Sequence, residues 1–158
     1  MTDARFEDAD ENPLRLIAQD GEGLSVLSTL LQDAVFPITE MAFAGKRRRF
    51  ALLLNRFRWE DRDAASRAGR GYERVQSLLV FEDVLSVKSQ GIDRKDADTV
   101  LSLLSIRFTP GQDGMGQVEF ILAGDGAIAL QVEALDATLR DVSRPYLAPS
   151  GHVPRHEE

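Results

Sequence analysis

The sequence predicts an α+β domain: an N-terminal amphipathic helix, then a largely antiparallel sheet of about seven to eight strands, curved or in two layers. Apolar residues near the start recur at helical spacing, and the second half is a series of short apolar runs separated by turn residues. A chain of 158 residues that is 43% hydrophobic can form one compact core. We assign residues 13–145 to one domain and predict disordered tails at 1–12, which is acidic, and 146–158.

The first two predicted elements are a strand and the helix. The run LRLIAQ, Leu14–Gln19, lies between the turn signals Asn12-Pro13 and Asp20-Gly21 and favours a strand. Asp20 can cap the helix that follows, and Pro37 lies just past its end. The apolar face of this helix is predicted to comprise Leu24, Leu27, Leu30, Leu31, Ala34 and Val35.

A β-hairpin is predicted next, from Ile38–Ala44 through a turn at Gly45-Lys46 into the segment RRRFALLLNRFRW. Alternation along the second strand places two sets of side chains on opposite faces. One face carries Ala51, Leu53, Asn55, Phe57 and Trp59, and the other carries Phe50, Leu52, Leu54, Arg56 and Arg58. The small and charged residues 60–71 then predict a loop.

Five further strands are predicted, at Arg74–Phe81, Val84–Gln90, Val100–Phe108, Gln117–Ala123 and Ala127–Val132. Hairpin turns are expected at Pro110–Gly114 and Gly124–Gly126. Residues 133–142 carry apolar residues at helical spacing and predict a C-terminal helix, with a bulged extension of the preceding strand as the alternative. The strand count alone makes a barrel-like sheet of the pleckstrin-homology type one candidate.

The order of these segments resembles a family of small bacterial proteins of unknown function. The resemblance is carried by LRLIAQ, DGEGLSVLSTLLQDAV, RRRFALLLNRFRW, VLSLLSIRF and AIALQVEALDATLRDV, and spans Leu14 to Val142. It implies a bacterial cytoplasmic protein and transfers no activity and no site residue.

Composition excludes several kinds of chemistry. The chain has no cysteine, which excludes disulfides, thiolate metal sites and a cysteine nucleophile. The two histidines, His152 and His156, lie in the predicted C-terminal tail, where a catalytic base or metal site is hard to build. We therefore predict no cofactor and no metal. The acidic start lacks the pattern of an export signal, and no apolar run is long enough to span a bilayer, so we predict a cytoplasmic protein without membrane contact.

Charge is unevenly distributed along this acidic chain, whose net charge is −7. The segment from Lys46 to Arg74 contains ten of the nineteen basic residues of the chain and only four acidic residues. Its local charge is therefore +6, and the rest of the chain carries a charge of −13. This asymmetry predicts a basic surface on an acidic protein.

Two other motifs have weaker functional interpretations. The DGEGLSV turn places Gly21 and Gly23 before a helix, as in phosphate-binding turns, but Val26 stands where the third glycine belongs. The carboxylates of Asp93–Asp98 suggest calcium, but the segment lacks the mid-loop glycine and closing glutamate of an EF-hand. We favour helix entry for the first and a solvated turn, capped by Asp96 or Asp98, for the second.

The candidate binding residues are arginines of the hairpin: Arg47, Arg48, Arg49, Arg56 and Arg58. They suit phosphates, and Phe57 and Trp59 could stack on bases, which gives an RNA- or DNA-binding alternative. However, the aromatics and Arg56 lie on opposite faces of the strand. We therefore favour aromatics in the core and arginines paired with carboxylates of this chain or of a second subunit.

The leading functional hypothesis is a non-catalytic binding or assembly module with a protein partner or a homo-oligomer. A carboxylate-based enzyme using Glu60, Asp61, Glu82 or Asp83 is a further alternative, which requires two acids facing each other across a cleft. No nucleophile motif supports it.

Overall fold

The computed structural model describes residues 13–69, 71–93 and 95–147. They form one large antiparallel sheet of eleven strands with two short α-helices. The predicted α+β class, with its N-terminal amphipathic helix and seven to eight strands, is therefore wrong. The extra strands come from short segments that carry little sequence signal and from a segment predicted as helix.

The strands, in chain order, are β1 Arg15–Ala18, β2 Val35–Pro37, β3 Met41–Ala44, β4 Arg49–Phe57, β5 Glu73–Phe81, β6 Val84–Gln90, β7 Val100–Pro110, β8 Gly116–Leu122, β9 Ala127–Val132, β10 Ala137–Asp141 and β11 Tyr146–Leu147. The helices are α1 Gly21–Leu30 and α2 Arg62–Ala68. Neighbouring strands follow the order β1-β10-β5-β4-β2-β7-β8-β9-β6, with β3 beside β4 and β11 beside β5.

The sheet turns back on itself, so that its first half, β1, β10, β5, β4 and β2, shares one core with its second half, β7, β8, β9 and β6. Phe50 of β4 and Phe81 of β5 both contact the ring of Phe120 in β8, at centroid distances of 5.8 and 5.6 Å. Inward-pointing residues from both halves, together with Leu24 and Leu27 of α1, belong to a single buried cluster. Each strand of the first half therefore has an inner face toward this core and an outer face directed away from it.

Helix α1 begins as the capping signal indicates, because Asp20 Oδ1 accepts a hydrogen bond of 2.7 Å from the Gly23 N–H. It is only ten residues long, and the predicted apolar face does not continue to Val35 as helix. Asp33 adopts a left-handed conformation at φ 65°, and its N–H donates to the Leu103 carbonyl oxygen. Pairing with β7 thus ends the helical stretch and makes Val35 part of β2.

The predicted C-terminal helix is also wrong, because Ala137–Asp141 forms β10 between β1 and β5. Leu135 and Leu139 are four residues apart and fit a helical face, but Ala137 between them is buried too. Burial of every second residue is the strand pattern. Backbone pairing on both sides decided between the two interpretations.

The predicted loop at 60–71 contains a 3₁₀ turn, Trp59–Asp61, and helix α2. Ala65 is fully buried, and Gly69 ends the helix in a left-handed conformation at φ 68°. Phe57, on the outer face of β4, is buried and packs edge-on against Trp59 at 4.6 Å. The small residues that suggested a loop therefore belong to a helix. Phe57 is core as predicted, whereas Trp59 is only half-buried.

The predicted hairpin is confirmed, since β3 pairs antiparallel with β4 around a turn at Gly45–Arg47. The five strands predicted in the second half match β5 to β9, and both predicted hairpin turns join their strands. Within the described ranges no helix is both long and apolar enough to cross a bilayer. The tail predicted at 1–12, most of that at 146–158, and both histidines lie outside the described residues.

Candidate anion-binding face

Arg56, one of the predicted binding residues, is fully buried at the end of the inner face of β4. Its Nη2 donates to Asp141 Oδ2 at 2.9 Å and to Glu60 Oε2 at 2.7 Å. Its Nη1 donates to Glu60 Oε1 at 2.8 Å, and its Nε is shared between Asp141 Oδ1 and the Ser77 hydroxyl. The guanidinium therefore has carboxylate partners on both sides and no solvent-facing donor.

Both carboxylates of this network stay ionised because of Arg56. Burial alone would raise the pKa of Asp141, but hydrogen bonds from Arg56, Ser77 and the Leu14 N–H outweigh it and lower the pKa. Burial likewise opposes ionisation of Glu60, whose pKa is lowered by the hydrogen bonds and charge of Arg56. Desolvation acts against the charged form of Arg56 too, and the same two partners raise its pKa. The network therefore fastens β4, β10 and the chain after β4 to one another.

The other predicted arginines divide between the interior and the turn. Arg58 is buried and binds Glu73 at 2.5 Å, with Asp61 at 3.6 Å. Arg48 forms an ion pair with Glu133, and Arg49 Nε donates to Glu82 at 2.7 Å. Arg47 is exposed at the turn. The five residues predicted as one binding set are thus not brought together on one surface.

The remaining candidates serve local structure. The Gly21-Gly23 turn is occupied by the Asp20 cap, and Asp96 accepts a hydrogen bond from the Asp98 N–H, as in the solvated turn we favoured. In the described part of the chain no group of histidines and carboxylates could hold a metal ion. The acids proposed for catalysis do not oppose one another across a cleft, because Glu60 faces Arg56, Asp61 lies beside Arg58 and Glu82 binds Arg49.

A different arginine set converges on the outer face of β1, β10, β5 and β4. Arg15 of β1 and Arg140 of β10 are direct register partners, and both are exposed. They line a shallow cavity of about 450 Å³ whose third arginine is Arg49. Ala51, Leu78 and Val80 form its half-buried apolar floor, and Thr138 and Glu82 complete its lining. We call this surface, formed by Arg15, Arg49, Arg140, Ala51, Leu78 and Val80, the arginine face.

Cross-strand register explains how the arginine face forms. Arg140 lies opposite Leu78, which lies opposite Leu53, while Thr138 lies opposite Val80, which lies opposite Ala51. Alternation sends all of these side chains to the outer face, since Leu79 and Leu139 on the same strands are buried. Glu82 neutralises Arg49, whereas neither Arg15 nor Arg140 has a carboxylate partner in the described ranges. Among the described residues, Arg15 and Arg140 can therefore bind an anion without first breaking an ion pair, whereas Arg49 is already paired with Glu82.

Sequence reasoning found Arg49 and missed Arg15 and Arg140. Arg15 lies in the strand predicted from LRLIAQ, where alternation with buried Ala18 separates the two faces. Arg140 was assigned to a helix, which hid its register with Arg15. The RLIA and ATLR segments share an alternating pattern, but nothing local indicates that they pair.

Fold and face together define an antiparallel β-sheet protein with an arginine-lined outer surface. The chain belongs to the family described as "Protein of unknown function (DUF2948)", which matches residues 14–156 and confirms the resemblance to a family of unknown function. No curated protein matches the chain, and no solved structure does.

Proposed function

We propose that this protein is a non-catalytic binding module that holds an acidic segment of a partner protein on the arginine face. The observation that carries the proposal is the Arg15–Arg140 pair, two like charges directly opposed on adjacent strands at the rim of a cavity. Like charges in this position destabilise a sheet. An acidic ligand bound between them removes that repulsion and gains two charge-assisted contacts.

The extent of the face favours a peptide over a small anion. Three strand spacings and four residues separate Arg15 from Arg49, so their Cα atoms lie roughly 20 Å apart on the diagonal. A single phosphate or carboxylate held by Arg15 and Arg140 leaves most of that distance uncovered. A segment of about six extended residues spans that distance.

The chemistry of the floor favours protein over nucleic acid. The residues between the arginines are Ala51, Leu78 and Val80, which offer apolar contact area. Single-stranded nucleic acids are usually held by exposed aromatic side chains, and among the described residues no aromatic lines this cavity. Phe57, the base-stacking candidate, is buried. An acidic segment with apolar side chains matches both the rim and the floor.

The proposed location is the bacterial cytoplasm. The cysteine-free composition supports it, because a chain without disulfides gains nothing from an oxidising compartment. Fractionation of cells that express the tagged protein tests this part of the proposal.

Fluorescence anisotropy tests the binding function. Labelled nine-residue peptides that are acidic, neutral (each acid replaced by its amide) or basic are titrated with the protein over a salt series. We expect only the acidic peptide to bind, with an affinity that falls as salt rises. Arg15→Gln/Arg140→Gln should weaken binding at least about tenfold, because each charge-assisted contact contributes about 1.5 to 3 kcal/mol.

A matched control is Lys88→Gln/Arg107→Gln, which removes the same charge from exposed positions on β6 and β7. Equal weakening in both double variants would overturn the proposal, because it would assign binding to net charge alone. Tighter binding of labelled RNA or DNA than of the acidic peptide, lost in the Arg15/Arg140 variant, would assign the face to nucleic acid instead. Light scattering across the same salt series separates a partner protein from a second copy: dissociation of an oligomer by salt and by Arg15→Gln/Arg140→Gln would replace the partner with this chain.

A further inference from the structure

A second cavity lies beside the arginine face on the same side of the sheet. It has a volume of about 310 Å³, and its lining includes Val35, Pro37, Leu53 and Val100. Pro37 and Val100 are register partners across β2 and β7, and Val100 is 61% exposed. This cavity is mostly apolar, and Glu40 is its one acidic lining residue within the described ranges.

The floors of the two cavities adjoin. Leu78 lines the first and Leu53 lines the second, and these two leucines are register partners on β5 and β4. Side chains directly opposed on one face of an antiparallel pair have Cβ atoms about 5 Å apart. A ligand that crosses the strands therefore passes from the arginine end to the apolar end over Leu78 and Leu53.

The distance between the arginines and the second cavity determines how far apart the acidic and apolar residues of a peptide ligand must be. Arg140 and Leu53 are separated by two strand spacings, and β2 lies one spacing beyond β4, so the distance is roughly 10 to 15 Å. Extended chain covers about 3.3 Å per residue, so this distance corresponds to three or four residues. At the far end Glu40 repels a second carboxylate, which gives the two ends opposite preferences.

We propose that the ligand is an extended peptide with an acidic residue at Arg15 and Arg140 and a bulky apolar residue three or four positions away in the second cavity. This inference rests on the proposed binding function and names its recognition pattern. Burial of one leucine-sized side chain adds about 1.5 to 3 kcal/mol to binding, which corresponds to a gain of roughly ten- to a hundredfold in affinity.

The test compares four labelled peptides that share a glycine-serine background. The first carries two glutamates and, four residues on, a leucine. The second replaces that leucine by serine, the third replaces the glutamates by glutamines, and the fourth places the leucine directly beside the glutamates. We expect the first to bind at least about tenfold more tightly than each of the others.

Protein variants locate the apolar end. Val100→Ser should weaken the first peptide about fivefold and leave the leucine-free peptide unchanged, because only the first reaches the second cavity. Leu85→Ser on β6 is the matched control, since Leu85 is also exposed at 44% and lies three strands away from Val100 of β7. Val100 is exposed, so its replacement should not prevent folding, and circular dichroism verifies this.

Equal binding of the first, second and fourth peptides would overturn the two-ended pattern while leaving the arginine face as the binding surface. Equal weakening of the first and second peptides by Val100→Ser would also overturn it. Failure of the proposed function looks different, because then no glutamate peptide responds to Arg15→Gln/Arg140→Gln.

Discussion

Arg56 and Arg140 lie in neighbouring parts of the same half-sheet and have opposite environments. Arg56 points inward, is fully buried, and binds two carboxylates from other segments. Arg140 points outward, is exposed, and faces a second arginine across the strand pair. The comparison shows that the role of an arginine depends on the face of the sheet to which its side chain points. The density of arginines in the sequence does not distinguish a structural guanidinium from one that is available to a ligand.

The interior position of Arg56 depends on the order of residues along β4. Phe50, Leu52 and Leu54 fill the inner face before it, so the guanidinium lies at the end of the apolar row. Ser77 on β5 and Asp141 on β10 supply polar partners at the same level. At the end of the core, the charge of Arg56 is therefore fully paired within the protein. On the outer face, the charges of Arg15 and Arg140 remain available to bind another molecule.

The largest expected effect on stability comes from replacing the buried Arg56. Arg56→Ala leaves the carboxylate of Asp141, whose side chain is 4% exposed, without its cation. We expect it to lower the free energy of unfolding by about 3 to 5 kcal/mol, measured by urea denaturation. Arg56→Lys should lose less, since it keeps the charge but not the planar fork.

Arg107→Ala, at an exposed position on β7, is the control for loss of an arginine as such. A loss below about 1 kcal/mol in Arg56→Ala would show that the network adds no more than an exposed ion pair does. The contrast between interior and exterior arginines would then fail.

The pH dependence of stability gives the second expected effect. The pKa values of Asp141 and Glu60 are lowered in the folded state, so their contribution is fully present above the unfolded values of about 4 and is lost as pH falls through the folded values. The difference in unfolding free energy between the native chain and Asp141→Asn should stay constant from about pH 7 to 5 and shrink below about pH 4. A difference that is unchanged down to pH 3 would contradict a charge-dependent role for Asp141.

The smallest expected effect on stability comes from replacing the exposed Arg140, and this replacement should stabilise the protein. Arg140→Gln removes the repulsion with Arg15, so the free energy of unfolding should rise by about 0.2 to 1 kcal/mol in low salt. The gain should vanish in high salt, where the exposed charges are screened. If urea denaturation instead shows a loss above about 1 kcal/mol, Arg140 has a structural role and the arginine face loses one of its two rim charges.

Much of the strand and turn content was predictable because its signals are local. Alternating apolar runs bounded by turn residues located β5 to β9, and Asp20 marked the start of α1. The predictions failed where periodicity was ambiguous, as for Leu135 and Leu139, or where small residues resembled a loop, as in α2. For residues 137–141, pairing with β1 and β5 decided the conformation, and in α2 the burial of Ala65 accompanies the helix.

The candidate site was predictable only in part. Arg49 was included because it lies in a visibly basic stretch, but Arg15 and Arg140 are isolated in the sequence and become neighbours through the pairing of β1 with β10. Arg56 was included for the same reason as Arg49 and lies inside the protein, beside Asp141, which is 85 residues away along the chain. The residues next to Arg56 in the sequence give no indication of a partner that is so distant along the chain.

By itself the sequence determined the alternation of side chains along the strands it predicted, most hairpins, the charge asymmetry and the absence of cysteine chemistry, because these depend on composition and on neighbours within a few residues. The tertiary structure decided that residues 137–141 form a strand and that Arg56 enters the core. It also decided that Arg15 and Arg140 share one face. Those outcomes depend on backbone hydrogen bonds and ion pairs between segments that are distant in the sequence; β1 and β10, for example, are more than a hundred residues apart. Such contacts are selected by the packing of the whole sheet.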